Sequence, residues 1–439
     1  MDALGNGRDG TTHHGRRTFL AGLAAACSGR LGRAAEPLWS DRQTVTVGPR
    51  AGDLIGTGDR VLQAAFDRVA RLGGGTVRLL PGTYTLRNAV HLAPRMRLVG
   101  SGSETVLTRG PSVRSALAAD TDWFGEEVVL ADGSGFEPGD GVVFTATDPQ
   151  RRRPVIVKRT LVNRDGNRFR LDRAPRENFW LSAQADSATL FPLLSGDHVD
   201  DVVIEDLTLD GNRDNCDLLD GNHGGCIFLQ DCSRWTMRRV IARAYYGDGI
   251  SFQVCHDVEV RDCHAHDNVN LGLHPGSGSR RPVIRGNRLE RNRQGIYWCW
   301  GVRHGLAENN LIADNSLYGT SIGHRDTDNV MRGNRILRSG QAGILFRDPP
   351  GAHDGWPHRT TIERNTIEDS GGPDGIAIDV GGGPRDVRIL GNTIADGRGA
   401  EQRIGIRIGA DVGPLELASN SFRGLARNME DRRPTAVAD

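Results

Sequence analysis

The chain has 439 residues, with 55 basic and 55 acidic side chains, and its 58 glycines beside only 5% aromatic residues are unlike a packed α/β enzyme. Charged residues at 25% and hydrophobic residues at 37% exclude disorder and collagen. Beyond residue 35 the balance is 50 basic against 53 acidic, which argues against a nucleic-acid partner. Lys158 is the only lysine, so a mechanism built on a catalytic lysine has a single candidate. At this length one core normally divides into domains, unless the chain is a solenoid that grows in one dimension.

Residues 1–35 read as an address. The run Gly15-Arg16-Arg17-Thr18-Phe19-Leu20, followed by apolar Ala21 to Ala26, resembles a twin-arginine export signal. It is too short for a permanent transmembrane anchor, so a periplasmic, extracellular or lipid-anchored surface location is expected. Ala24-Ala25-Ala26 before Cys27 suits a signal peptidase and loosely resembles a lipoprotein box. The other six cysteines (Cys216, Cys226, Cys232, Cys255, Cys263, Cys299) match no zinc spacing and read as structural thiols or one or two disulfides.

Residues 36–110 contain the one good amphipathic helix, Asp59 to Leu72, followed by Gly73-Gly74-Gly75-Thr76-Val77 and Leu80-Pro81-Gly82-Thr83-Tyr84. Residues 111–198 show short strands around Gly135 to Asp140 and Arg168 to Asp172, and read as a β-rich insertion. Residues 199–424 repeat, and 425–439 read as a tail. Gly followed by an apolar residue recurs at Gly249-Ile250, Gly272-Leu273, Gly295-Ile296, Gly343-Ile344, Gly375-Ile376 and Gly405-Ile406, with Gly319-Thr320 filling the gap. A second series runs Asn287, Asn310, Asn334, Asn365, Asn392 and Asn420. Three short alternating strands per repeat fit one coil of a β-solenoid, with equivalent asparagines forming an internal ladder.

This pattern resembles the right-handed parallel β-helix of the pectate-lyase-like superfamily over roughly residues 41 to 424, interrupted once. The fold class so implied is all-β, with an N-terminal helical cap over the open end of the core. Alternation then places chemistry on one face. Ser251, His274, Tyr297 and Ser321 form an outward column on successive rungs, with Asp248 beside its start and Gln253 two residues further on. Ile322 to Asp328 puts His324 and Asp326 on one alternating side, Trp298 and Trp300 flank Cys299 as platforms for a sugar ring, and the loop Arg347 to His358, with Asp348, His353, Asp354 and Trp356, walls the cleft. His264 and His266 fall on another face and read as exposed.

In the resembling enzymes the substrate groove runs along this kind of strand, which implies a polysaccharide substrate and an exported, monomeric, carbohydrate-active protein. A lyase or epimerase on a uronic-acid polymer needs a base, an acid and a cation beside the carboxylate. His274 and Tyr297 fill the first two roles, Arg347 the third, and Asp248 orients His274; His324 and Asp326 complete the candidate catalytic set, with Gln253, Trp298, Trp300, Arg347 and Asp348 as substrate contacts. The Asp-Pro-His arrangement of mannuronan epimerases is absent, since Leu273-His274-Pro275 reverses it, and Lys158 lies in the insertion, which disfavours a lysine-dependent lyase. A glycoside hydrolase needs two carboxyl groups roughly 5 to 9.5 Å apart. Asp248 has no acidic neighbour on the next two rungs, and the paired aspartates of polygalacturonases are replaced by Asn270-Leu271. A non-catalytic glycan-binding solenoid is the third alternative. No cofactor or metal is assigned. Asp210-Gly211-Asn212-Arg213-Asp214 begins like a calcium-binding EF-hand loop, but Asn215 replaces the required Gly and Gly221 the closing Glu, leaving Asp214, Asp217 and Asp220 as an acidic loop.

Overall fold

The computed structural model describes Trp39 and residues 42–147, 154–219, 221–348, 355–372, 374–399 and 402–434. The expected export segment with Cys27, and the loop residues Asp220, His353 and Asp354, lie outside the described residues.

The repeat folds as a parallel β-helix. Each turn contributes one strand to an 11-stranded parallel sheet and two to a 22-stranded one, each strand pairing with its counterpart one turn later. In the 11-stranded sheet the rungs that matter run Asp248–Gln253, Leu271–Gly276, Gln294–Tyr297, Tyr318–Ile322 and Ala342–Phe346. Their register aligns Ile250, Leu273, Ile296, Thr320 and Ile344 in one inward column. The four apolar members touching it from Ile250 to Ile344 are fully buried, each burial stabilising by roughly 1.5–3 kcal/mol. Because side chains alternate, the residue after each points the other way, and Ser251, His274, Tyr297, Ser321 and Leu345 line up on the outer side.

Corners come from single left-handed residues. Within one turn Asp257, Asp262 and Asp267 have φ of 56°, 55° and 57°, and the short polar side chain of Asp tolerates that region better than most. The next turn places Arg281 and Arg291 at two of these corners, and each reaches back to the aspartate below, Arg281 Nε to Asp257 at 2.6 Å and Arg291 Nε to Asp267 at 2.8 Å. Opposite charges therefore alternate along the corners: Arg338 repeats the pairing with Asp314 at 2.6 Å and Arg359 with Asp328 at 2.6 Å.

Inside, the asparagine ladder forms as expected. Asn310 donates Nδ2–H to Asn334 Oδ1 at 2.8 Å, Asn334 to Asn365 at 2.9 Å and Asn365 to Asn392 at 3.0 Å, while the backbone N–H of each donates to the same oxygen. A second, shorter ladder of Asn268, Asn292 and Asn315 supports the opposite corner. Each asparagine also donates to a backbone carbonyl in the strand of the preceding turn, Asn334 to Ala307 O at 3.0 Å.

The helix Asp59–Arg71 lies against the first turns through Leu62, Ala65, Phe66 and Val69, with Asp59 in its first turn and Arg68 and Arg71 in its last, as the helix dipole favours. Between Arg114 and Ala188 a six-stranded antiparallel sheet builds its own core around Phe136, Phe144, Phe169 and Phe179. The expected insertion ended at residue 198, whereas the strand Leu194–Asp197 is already a solenoid rung, parallel to Val90–His91 and Gly225–Gln230. At the far end, Arg427–Asp431 falls in the expected tail and instead pairs as the last rung. Its polar sequence RNMED suits an edge strand that must not recruit another chain.

Candidate functional site

The outward column carries a connected polar chain. His274 Nδ1 lies 2.9 Å from Asp248 Oδ2, and Asp248 Oδ1 accepts the Leu271 N–H at 3.2 Å. The carboxylate so placed holds the Nδ1–H tautomer of the imidazole and turns Nε2 away as the free lone pair. That nitrogen is buried, with no hydrogen-bond partner among the described residues. The His274 ring meets Tyr297 edge to face at 5.2 Å, and the Arg347 guanidinium sits 4.2 Å from the Tyr297 ring centroid. Burial pushes the Tyr297 phenol above its usual range, with Arg347 pulling the other way. Arg347 itself donates to Ser321 Oγ at 2.7 Å and to the Trp298 carbonyl, and Ser321 Oγ donates to Gln294 Oε1 at 2.6 Å.

The first half of this column is not open to solvent, as alternation alone had suggested. Asp248, Ser251 and His274 are all buried, and Leu219 and residues 221–224 lie over them as a strap. Leu219 N–H donates to Tyr246 O at 2.8 Å, and Gly221 O accepts from Ser251 Oγ at 2.7 Å. A Cβ on Gly221 would lie 1.6 Å from Asp248 Oδ2, so the backbone rests directly on the carboxylate and only glycine fits. Gln253 is buried in the same network, donating to Ser251 Oγ at 3.1 Å.

Other expected site residues separate. Trp298 points into the core, fully buried, with Nε1–H on Thr320 Oγ1 at 3.2 Å; a sugar platform there is corrected to a packing role. The segment after Ile322 is a turn, with His324 and Arg325 both at positive φ, so strand alternation does not apply and His324 and Asp326 part company. His324 stacks on Trp300 at 4.8 Å and 18°, while Asp326 is fully buried and accepts N–H groups from Val302 at 2.8 Å and Gly323 at 2.9 Å. Burial pushes the Asp326 carboxyl up to about 7, against the opposing pull of Arg347, whose NH2 lies 3.5 Å away. Asp326 thus anchors Arg347 from below. Asp348 is exposed and accepts from Trp356 Nε1 at 3.2 Å, so these two stand together at the rim. Trp300 is 50% exposed. His264 and His266, expected as exposed, are partly buried and stack on each other at 4.1 Å on the other sheet.

Sequence reasoning passed over one group that the insertion delivers. Lys158, on the strand Val155–Asp165, donates to His223 O at 2.8 Å and lies 4.3 Å from the centroid of the Phe228 ring. Phe228 is the rung below Ser251 in the outward column, so the only lysine of the chain reaches the strap over the site. Burial lowers its ammonium to about 8, with Asp197 opposing. Its uniqueness in an arginine-rich chain was the available signal. All six cysteines beyond the leader are free thiols, and Asp210 is engaged with Arg243 at 2.8 Å rather than in a cation loop. Among the described residues, Asp197, His198 and Asp231 bring three donor atoms within 4.8 Å of one another at the surface. No helix among the described residues is long and apolar enough to cross a membrane.

Residues 195–353 match the family model described as right handed beta helix region, and the fold is a right-handed parallel β-helix. Among solved structures, the A-module of Azotobacter vinelandii mannuronan C-5 epimerase AlgE4 is similar at 17% identity and TM-score 0.53, over 87% of this chain and 95% of that one. PfbA, a surface adhesin of Streptococcus pneumoniae, is similar at 12% identity and TM-score 0.54, over 87% and 90%. These likenesses define the fold. No curated protein matches the chain.

Proposed function

We propose that the protein is an exported enzyme that performs lyase- or epimerase-like proton transfer on an acidic polysaccharide, with His274 and Tyr297 as the proton-transfer pair. The observation that carries this reading is the chain Asp248, His274, Tyr297, Arg347: a buried carboxylate fixes one imidazole nitrogen at 2.9 Å, the other nitrogen is free, and a phenol and a guanidinium follow within 5.2 and 4.2 Å. Removing a proton next to a uronate carboxyl needs a desolvated base, and the buried Nε2 has that character, substrate reaching it when the groups that bury it move aside. The negative charge that then develops on the carboxylate is met by Arg347, held in place by Ser321 and Asp326. Tyr297 returns a proton, to the glycosidic oxygen in a lyase or to the opposite face of the same carbon in an epimerase. A hydrolase is less well supported: Asp248 is committed to His274 and Asp326 is fully buried under Arg347, so neither is free to form a carboxyl pair across a groove.

The test is a panel of acidic polysaccharides incubated with the full chain, read in parallel by absorbance in the unsaturated-uronate band, by reducing ends, and by NMR for inverted uronate. His274→Ala and Tyr297→Phe should each lower turnover by about a hundredfold or more. Near wild-type rates in both variants would place the chemistry elsewhere, and binding of a polymer without turnover would favour the glycan-binding alternative.

A further inference from the structure

Most arginines of this solenoid are neutralised, and the corner column Asp257, Arg281, His304, Asp328, Arg359 shows how, each arginine gripping the aspartate of the turn before it. The residues immediately preceding two of these corners, Arg281 and His304, break that rule. Arg280 and Arg303 are direct register partners on adjacent rungs, about 4.8 Å apart along the stack. Both are exposed, and neither has an ion pair or a side-chain hydrogen bond among the described residues. Like charges placed directly opposite on neighbouring strands are destabilising, so this pair is not explained by stability.

The two arginines line an open cleft of about 360 Å³ together with Ser277, Gly278, Trp300 and Arg325. Arg325 is a third exposed guanidinium with no side-chain partner among the described residues, placed by a left-handed backbone at φ 68° and an N–H bond to Gly355 O at 2.8 Å. Trp300 has one face backed by the His324 ring, while half of its surface stays open. Gly276, two residues after His274, pairs with Cys299, which places the cleft at the end of the same strands that carry the proposed proton-transfer pair.

We infer that this cleft is a binding subsite for a carboxylated sugar residue of a glycan chain, its ring on Trp300 and its carboxylate between Arg280 and Arg303. The chemistry is that of a planar platform beside two forked donors: an aromatic face accepts the apolar side of a pyranose, and guanidinium pairs recognise a carboxylate. The inference rests on the acidic-polysaccharide reading above and adds a location for recognition away from His274 and Tyr297.

The experiment measures affinity by calorimetry on the full chain, using oligomers of mannuronate and of galacturonate, each beside its carboxyl-reduced counterpart. At least one carboxylated oligomer should bind about tenfold or more tightly than its reduced form, and Arg280→Ala with Arg303→Ala should remove that preference. Trp300→Ala should weaken carboxylated and reduced oligomers alike. The double arginine variant should melt at or above the wild-type temperature, because a repulsion is removed, which separates lost recognition from lost fold. Equal affinity for carboxylated and reduced forms, unchanged affinity in the double variant, or no binding of any oligomer would each overturn the subsite. His274→Ala keeps the cleft, so retained turnover in that variant refutes the catalytic reading and leaves the binding result standing.

Discussion

The asparagine ladder allows a worked prediction, because its middle is buried and makes four bonds while its end is half-buried and makes three. Asn334 is buried, accepts the Asn310 N–H at 3.0 Å and the Asn310 Nδ2–H at 2.8 Å, and donates to Asn365 Oδ1 at 2.9 Å and Ala307 O at 3.0 Å. Asn334→Ala deletes all four bonds. Asn310 Nδ2 keeps Ile284 O at 2.9 Å, and Asn365 Oδ1 keeps the Asn334 backbone N–H at 2.9 Å. The Asn310 backbone N–H has no such second partner and is stranded in a dry core. With about 1–3 kcal/mol for a buried group left unsatisfied and smaller losses at the other three, the expected cost is about 3–5 kcal/mol. Asn420→Ala removes equivalent bonds to Asn392 and Ile389 where the ladder is only half-buried, so water replaces them and about 1 kcal/mol is expected. Urea unfolding followed by circular dichroism compares the two midpoints. If Asn334→Ala shifts the midpoint no further than Asn420→Ala, the ladder is not an internal support and the accounting is wrong.

Gly221→Ala should lower kcat/KM roughly a hundredfold, by pushing the strap off Asp248 and disturbing the His274 tautomer, while the melting temperature changes little; turnover at the wild-type rate would show that the strap contact is idle. Asp326 gives a pH signature of definite sign. Its folded carboxyl is raised to about 7 from 3.8, so the folded state binds the extra proton between those values and the contribution to stability falls as pH rises through that window. Asp326→Asn should remove that slope, and the difference between the two melting curves across pH 4 to 7 isolates it from His264, whose lowering to about 4 by burial acts with the opposite sign. Parallel curves for the two proteins would refute the assignment.

What was legible beforehand is what repeats. A glycine before an inward residue, spaced 23 or 24 residues over the first four steps, states the rung, its partner asparagine states the corner, and both need only the two-residue period of a strand to be converted into a register. Asn268, Asn292 and Asn315 obey the same logic and escaped because they occupy only three turns before Ser339 and Ser370 take over. The outward column was found for the same reason, and Ser251, His274 and Tyr297 are register partners as alternation requires. Period fails wherever the chain leaves the strand. His324 and Asp326 fall in a left-handed turn that sends one to Trp300 and the other under Arg347, whereas Trp298, two residues after inward Ile296, faces the core as the period requires.

The parts that convert a polar column into a candidate site all come from such departures. Repetition can place an aspartate, a histidine and a tyrosine on neighbouring rungs, but it leaves them equally wet, and a carboxylate in water does little to fix an imidazole tautomer. The strap, Leu219 and residues 221–224, buries Asp248 and His274, and it is tied down by Tyr246 and Ser251 of the solenoid and by Lys158 of the insertion. Without the insertion the strap would keep only its anchors on the solenoid. Its place in the chain, immediately before the rungs of the site, then has a physical reason: a second small core, built around four phenylalanines, gives Lys158 a rigid base from which to reach His223. On this reading the insertion belongs to the site although none of its side chains touches His274, and the distinction between a scaffold that repeats and a site that interrupts it is visible in which residues glycine and lysine were needed for.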